Sequence, residues 1–228
     1  MTPASLALIS APDLRQVSEI LADDVADMLR QAIRERGRAS LAVPGGTTPK
    51  EFLACLGQRD LPWTRITVVP TDERDVAPED ARSNGRMIRE GLPLPSDGFI
   101  ALRASGGSLE DAAMELGSHV ASLLPFDAVV VGMGADTHIA SLFPGDARLG
   151  RSGNAASQVV VASYPTGLEP RLSLGPLPLA NARWKALLIT GEQKRAMLTR
   201  ALQTADAVAH PVRLLFESGV PPRIYCAE

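Results

Sequence analysis

Along most of the chain, short apolar runs alternate with longer segments in which apolar residues recur every three or four positions. The short runs, rich in Val, Ile and Leu, are typical of strands buried on both faces. The periodic segments are typical of helices that cover a sheet with one apolar face. Strands are therefore expected over residues 40–43, 65–70, 99–102, 126–131, 157–163, 184–190 and 223–226.

Residues that favour helix ends set the limits of the predicted helices. Asp13 can cap a helix that ends near Gly37, and Thr48 is expected to cap the next helix, with Pro49 at its first position. Further helices are expected over residues 84–90, 109–124, 176–182 and 192–202, and from residue 210 onwards. The alternation predicts an α/β fold: a three-layer, mostly parallel Rossmann-like sheet with helices on both faces, in a single domain over residues 1–228.

The segment Phe126–Gly145, FDAVVVGMGADTHIASLFPG, joins an apolar strand to a glycine-rich turn that carries Asp136 and His138. Open α/β sheets bind ligands at the carboxyl ends of their strands, which is where this turn would lie. An imidazole, with an ordinary pKa of about 6.5, can accept a proton at neutral pH. His138 is therefore a candidate general base. The alternative is a histidine that only caps a turn or satisfies a buried carbonyl.

Two other strand ends carry residues suited to an anion. Gly45, Gly46 and Thr47 follow the first predicted strand and precede a helix, so their backbone N–H groups and the helix dipole would favour a phosphate. The plainer alternative is a turn that only connects strand to helix. The second predicted strand delivers Asp72 and Arg74 to the same edge, where the alternative is a solvated turn.

The composition is ordinary for a globular protein: 228 residues, 45% hydrophobic, 21% charged, with a formal net charge of −3. There is no basic run to indicate a nucleic-acid surface, and no apolar run approaches the roughly 20 residues of a membrane span. The first ten residues lack the basic start of a signal peptide. A cytoplasmic protein that binds neither nucleic acid nor membrane is expected.

The cysteines and histidines do not form a familiar metal-binding pattern. Cys55 and Cys226 lie near opposite ends of the chain, and His119, His138 and His210 have no known ligand spacing. Buried free thiols and a reaction without metal or cofactor are expected.

Four strings along the chain have a recognisable form: PGGTTP at 44–49, TDERDVAPEDARSNGRMI at 71–88, GMGADTHIASLFPG at 132–145 and RLSLGPLPLANARWKALLITGEQKR at 171–195. They resemble signature segments of the 6-phosphogluconolactonase family, whose phosphate loop reads SGGSTP and whose central segment usually reads GMGPDGHTASLFPG. The resemblance covers about residues 40 to 226, in the expected order, and the joint occurrence is more specific than any single string.

The resemblance implies hydrolysis of 6-phospho-D-glucono-1,5-lactone to 6-phospho-D-gluconate, a step of the oxidative pentose phosphate pathway, without metal or cofactor. It implies that His138 activates water, that Asp136 orients the imidazole, and that Arg74 stabilises the carbonyl oxygen or holds ring hydroxyls. The implied substrate- and phosphate-binding residues are Gly45, Gly46, Thr47, Asp72, Arg171 and Lys194. The expected partner is a phosphorylated sugar lactone, and a monomer or weak dimer is expected.

Several alternatives stay open. A glucosamine-6-phosphate deaminase-like enzyme would share the phosphate loop, although those enzymes resemble DEY and AFNEP where this chain has DER and ASLFP. A sugar-phosphate sensor without turnover is another. Ser141 is an alternative nucleophile, but no GxSxG elbow surrounds it. Thr137 replaces a glycine of the family string, and it would be strained if the backbone there requires a positive φ.

Overall fold

The computed structural model describes residues 7–104, 106–150, 158–217 and 220–228. Within these ranges, the strands are β1 (Leu8–Ala11), β2 (Ala39–Val43), β3 (Ile66–Pro70), β4 (Asp72–Arg74), β5 (Ala128–Gly132), β6 (Val160–Ser163), β7 (Arg171–Leu174), β8 (Lys185–Thr190) and β9 (Arg223–Ala227). Six of them form a parallel sheet in the spatial order β1-β9-β8-β5-β2-β3. The predicted fold class is confirmed.

Helices connect the strands and cover the parallel sheet. In the described ranges they are α1 (Leu14–Arg36), α2 (Thr47–Gly57), α3 (Asn84–Gly91), α4 (Leu109–Ala121), α5 (Pro176–Ala180), α6 (Glu192–Leu202) and α7 (Leu214–Glu217). Asp13 caps α1 as predicted, since its side chain accepts a hydrogen bond of 2.8 Å from the N–H of Gln16, and Gly37 ends it with φ 76°. Among the helices described, none has the length and apolarity needed to cross a membrane.

Two apolar cores lie on opposite faces of the parallel sheet. In β5, Ala128 and Val130 pack into one core, and Val129 and Val131 pack into the other. All four side chains are fully buried. The alternation of side chains along a strand thus explains why this run is continuously apolar: both of its faces need apolar residues.

Some element boundaries differ from the sequence-based expectation. The predicted strand 99–102 is wrong, because the backbone pairing is limited to a bridge between Val68 and Phe99, and Leu102 enters the core through its side chain alone. The predicted helix 109–124 ends at Ala121 and continues as a tighter turn before Pro125, which disfavours helical conformation in the residue preceding it.

The predicted start of α2 is also wrong. The helix begins at Thr47, with Gly46 as its N-cap at φ 105°, so Thr48 lies in the first turn. Pro49 is tolerated as the third helical residue because first-turn N–H groups have no helical acceptor. Strand β1 is not among the predicted strands. The strand expected over 157–163 begins at Val160 in the described part of the chain, and Ser157 lies outside the described residues. The helix expected from residue 210 opens as a 3₁₀ turn, Pro211–Arg213, followed by α7.

A second, antiparallel sheet, in the order β4-β7-β6, was missed by the sequence analysis. It places Arg74 directly opposite Arg171 and Asp72 opposite Ser173. Residues separated by about 100 positions in the chain are therefore neighbours. This small sheet brings two of the predicted cationic side chains to the edge where the parallel strands end.

Candidate active site

A cavity of about 220 Å³ lies at the carboxyl ends of the parallel strands. Eight of the nine predicted site residues line it: Gly45, Gly46, Thr47, Asp72, Arg74, His138, Arg171 and Lys194. The ninth, Asp136, does not line the cavity and contacts His138 instead. The fold therefore brings together residues from three strand ends, the small antiparallel sheet and the first turn of α6.

His138 and Asp136 form a direct pair. The imidazole Nδ1 lies 2.6 Å from Asp136 Oδ1, and the same oxygen accepts a 3.2 Å hydrogen bond from the backbone N–H of His138. Burial alone would raise the pKa of the Asp136 carboxyl, but the hydrogen bonds and charge of His138 outweigh it and hold that pKa below its ordinary value. An ionised Asp136 accepts the Nδ1 proton, which leaves Nε2 as the nitrogen able to take a proton.

Gly134 leaves the space that this pair occupies. A Cβ built on Gly134 would lie 2.2 Å from both Cε1 and Nδ1 of His138 and 2.6 Å from Asp136 Oδ1. The backbone N–H of Gly134 also donates to the carbonyl of His138 at 2.9 Å, which closes the turn. The glycine is needed here because the imidazole lies against its Cα.

Two arginine side chains also line the cavity. Arg171 is buried, with its guanidinium over the ring of Phe143 and its Nη1 3.8 Å from Asp72 Oδ2. Arg74 donates from Nη1 to the carbonyl of Arg82 at 2.6 Å. The Nε atoms of Arg74 and Arg171 are buried without a hydrogen-bond partner among the described residues. These two N–H donors are therefore unsatisfied within the described part of the chain.

Asp72 is held in place by the residue considered as an alternative nucleophile. The hydroxyl of Ser141 donates to Asp72 Oδ2 at 2.6 Å, and Ser141 is fully buried. Its backbone N–H is already used as well, because it donates to Ser173 Oγ at 3.1 Å. This geometry disfavours a covalent role for Ser141 and favours a structural one.

Asn84 is a lining residue that the sequence analysis did not single out. Its Nδ2 donates to the carbonyl of Asp72 at 2.8 Å, and its Oδ1 occupies the place that a Cβ on Gly45 would need, 2.0 Å away. Asn84 therefore joins the turn at Gly45 to β4. The sequence does contain a signal for this residue, because Asn84 is the asparagine of the SN pair in the family-like string at 71–88.

Glu73 supports this wall from behind. Its carboxylate accepts from the backbone N–H groups of Arg74, Asn84 and Gly85 at 2.8, 2.8 and 2.6 Å and from the hydroxyl of Ser83 at 2.9 Å. Two of these N–H groups belong to the first turn of α3, where a negative charge is favoured. The middle residue of the DER tripeptide is thus structural, while its neighbours face the cavity.

We expect Glu73→Ala to lower the free energy of unfolding by about 2 to 4 kcal/mol, because it leaves buried donors without an acceptor. Glu73→Gln should cost less, since an amide oxygen still accepts some of these bonds. Urea unfolding measures both, with Glu79→Ala, at an exposed carboxylate near the same helix, as the control. Equal stability of Glu73→Ala and Glu79→Ala would contradict the role given to Glu73.

Comparison with known proteins identifies a consistent set of relatives. Residues 12–220 match the family model described as glucosamine-6-phosphate isomerases/6-phosphogluconolactonase. The chain is 39% identical over 220 residues to a 6-phosphogluconolactonase of Rhizobium meliloti, covering 92% of this chain and 94% of the relative. It is 37% identical to the Pseudomonas aeruginosa 6-phosphogluconolactonase, covering 92% and 91%. A crystal structure of a 6-phosphogluconolactonase from Shewanella baltica superposes with a TM-score of 0.90 at 30% identity, covering 98% of each chain.

Proposed function

The chain belongs to the family of glucosamine-6-phosphate isomerases and 6-phosphogluconolactonases, and we propose that it hydrolyses 6-phospho-D-glucono-1,5-lactone to 6-phospho-D-gluconate with His138 as general base. In that role it would serve the oxidative pentose phosphate pathway. The observation that carries the proposal is the Asp136–His138 pair, 2.6 Å apart, at a cavity lined by Arg74, Arg171 and Lys194.

His138 acts on the attacking water. Its Nε2 removes a proton as the water oxygen bonds to the lactone carbonyl carbon, and Asp136 stabilises the imidazolium through the Nδ1–H bond. The tetrahedral intermediate then collapses with cleavage of the bond between that carbon and the ring oxygen. The ring oxygen takes the proton from the imidazolium, so the histidine is neutral again for the next turnover.

Arg74 is assigned to the lactone oxygen that becomes negative in the intermediate. A donor fixed before the reaction stabilises developing charge without reorganisation. Arg74 is suited to this role because its guanidinium is anchored through Nη1 to the carbonyl of Arg82, while the rest of it borders the cavity. Asp72, fixed by Ser141 and Asn84, is assigned to a sugar hydroxyl.

The phosphate is assigned to the start of α2 and to the cations beside it. Gly46, the N-cap, has no side-chain capping bond, so the first-turn N–H groups of Thr47 and Thr48 are available to an anion. Lys194 in the first turn of α6 and the buried Arg171 border the same cavity. A dianionic phosphate would match this combination of dipole and positive charge.

The deaminase-like alternative is less well supported by the residues of the site. The chain has Arg74 and the string ASLFP in place of the DEY and AFNEP of those enzymes. A sensor without turnover would not require a paired base such as His138.

The deciding experiment is hydrolysis of freshly generated 6-phosphogluconolactone by the purified protein, with spontaneous hydrolysis subtracted and glucosamine 6-phosphate as the competing substrate. Turnover of the amino sugar alone, or binding of phosphosugars without any turnover, would reject the proposal.

Lys194→Ala is expected to raise KM for the phosphorylated lactone about ten-fold or more, because a cation assigned to the phosphate is lost. The same variant should hydrolyse unphosphorylated glucono-1,5-lactone as the wild type does. Steady-state kinetics with both substrates measures this. Arg195→Ala, at the exposed neighbouring position on α6, is the control and should leave the kinetics with both lactones unchanged. An equal loss on the two lactones would contradict a phosphate role for Lys194.

A further inference from the structure

Thr137, between the two proposed catalytic residues, has a backbone conformation that rarely suits a threonine. Its φ is 73°, in the left-handed region, and the residue is fully buried. Such a conformation costs an L-residue with a side chain about 1 to 2 kcal/mol, and more for a β-branched one than for glycine. The strain anticipated from the sequence is therefore present, and some contact must offset it.

Three hydrogen bonds hold Thr137. Its N–H donates to the carbonyl of Gly134 at 3.0 Å, and its carbonyl accepts from the N–H of Val212 at 3.1 Å. Its hydroxyl lies 3.3 Å from Nδ1 of His210. A glycine would keep the two backbone bonds without strain, so the bond to His210 is what the threonine side chain adds.

The partner segment, residues 206–212, is itself a folded loop. The carboxylate of Asp206 accepts from the N–H groups of Val208 and Ala209 at 2.9 and 3.0 Å, and the carbonyl of Asp206 accepts from the N–H of His210 at 3.1 Å. The carbonyl of Val208 accepts a 2.8 Å bond from Gly145. The 206–212 loop therefore contacts the segment of the proposed base both at Thr137 and at its far end.

We propose that Thr137 and His210 are positioning residues that hold the Asp136–His138 pair in its catalytic geometry. Neither side chain lines the cavity, so neither is expected to touch substrate. Because Thr137 is covalently linked to both members of the pair, a rotation of its peptide planes would change the distance between the imidazole and the carboxylate. The inference rests on the proposed role of His138 and extends it to a second chain segment.

The test compares variants that remove the Thr137–His210 hydrogen bond with variants that retain a hydrogen-bonding group at the same position. Thr137→Val keeps the shape without the hydroxyl, and Thr137→Ser keeps the hydroxyl. His210→Ala removes the imidazole, and His210→Asn retains a hydrogen-bonding group near the place of Nδ1. We expect kcat for the phosphorylated lactone to fall about ten-fold in Thr137→Val and His210→Ala, with KM within about two-fold, because a small misplacement of a base reduces the rate and not the binding. The Ser and Asn variants should stay within about three-fold of wild type.

A double-mutant cycle separates coupling from general destabilisation. If the two residues act through one bond, Thr137→Val combined with His210→Ala loses no more than either single variant. The inference would be overturned if the losses of kcat in the double variant were additive, or if Thr137→Ser and His210→Asn lost as much kcat as Thr137→Val and His210→Ala. Wild-type kcat in Thr137→Val and His210→Ala would also overturn it. Should Thr137→Val fail to fold, the Ala and Asn variants at His210 carry the same comparison.

A measurement without substrate separates this inference from the proposed function. ¹⁵N NMR of labelled histidines reports the tautomer and hydrogen bonding of His138. We expect its resonances to shift in Thr137→Val and His210→Ala but not in His210→Asn. Unchanged His138 resonances would overturn the inference whatever the activity. If the wild type does not hydrolyse the lactone but the two variants show these shifts, the proposed function is rejected and the positioning role stands.

Discussion

Replacing His138 by alanine is expected to lower kcat for 6-phosphogluconolactone hydrolysis by about 10² to 10⁴, the usual contribution of a positioned general base. The side chain is 29% exposed, and one of its contacts is with the ring of Phe143, so the fold should survive its loss. KM should change little, because the phosphate and sugar hydroxyls are assigned to other residues.

The control for this variant is His119→Ala. His119 is an exposed residue of α4 and does not line the cavity, so this change should leave turnover unaffected. Initial rates must be corrected for spontaneous lactone hydrolysis, and circular dichroism should show that both variants fold. Near-normal turnover in His138→Ala would remove this residue from the mechanism.

Gly134→Ala is expected to impair the reaction almost as severely, by about 10²-fold or more in kcat, although it leaves every proposed catalytic side chain in the sequence. The added methyl group would lie 2.2 Å from two atoms of the His138 ring, so the imidazole or the turn must move. Either movement separates His138 from Asp136. A loss of stability should accompany the loss of rate, because backbone hydrogen bonds between Gly134 and residues 137 and 138 close the turn.

Gly132→Ala provides the matched control for this change. It adds the same methyl group two residues earlier, where a Cβ meets nothing within 4 Å. Since Gly132 borders the cavity, its variant can raise KM, but kcat should stay within about three-fold of wild type. A similar kcat in the two glycine variants would show that the clash with the imidazole is not what matters.

The sequence was a good guide to the parallel sheet and to the residues of the cavity. Runs such as 126–131 must be apolar on both faces because two cores meet there, and this requirement can be read directly from the residues. The residues at 45–47, 72–74 and 136–138 could be found because each group follows a predicted strand, and parallel strands end at the same edge. Arg171 and Lys194 were found only through the family resemblance of the string at 171–195. The detailed roles of the site residues stay predictions.

The small antiparallel sheet could not be predicted in the same way. Its strands β4 and β7 have three and four residues, too few for a periodic pattern, and they pair across about 100 positions. The same holds for Glu73, whose role depends on contacts with the first turn of α3. The SN pair marked the position of Asn84, but its contact with Gly45 could not be predicted. The 206–212 loop was missed because the bond between His210 and Thr137 leaves no local signature.

The position of the cavity between two sheets has a consequence for local stability. His138, the proposed base, follows β5 of the parallel sheet, whereas Arg74 and Arg171 belong to the short strands β4 and β7. Short strands with few backbone bonds open at lower free energy than the centre of a large sheet, and they open without global unfolding. A ligand that spans the cavity would link the two units, so part of its binding free energy would appear as suppressed opening of the small sheet. Amide hydrogens in β7 would then exchange more slowly when the cavity is occupied, while those in β5 would hardly change.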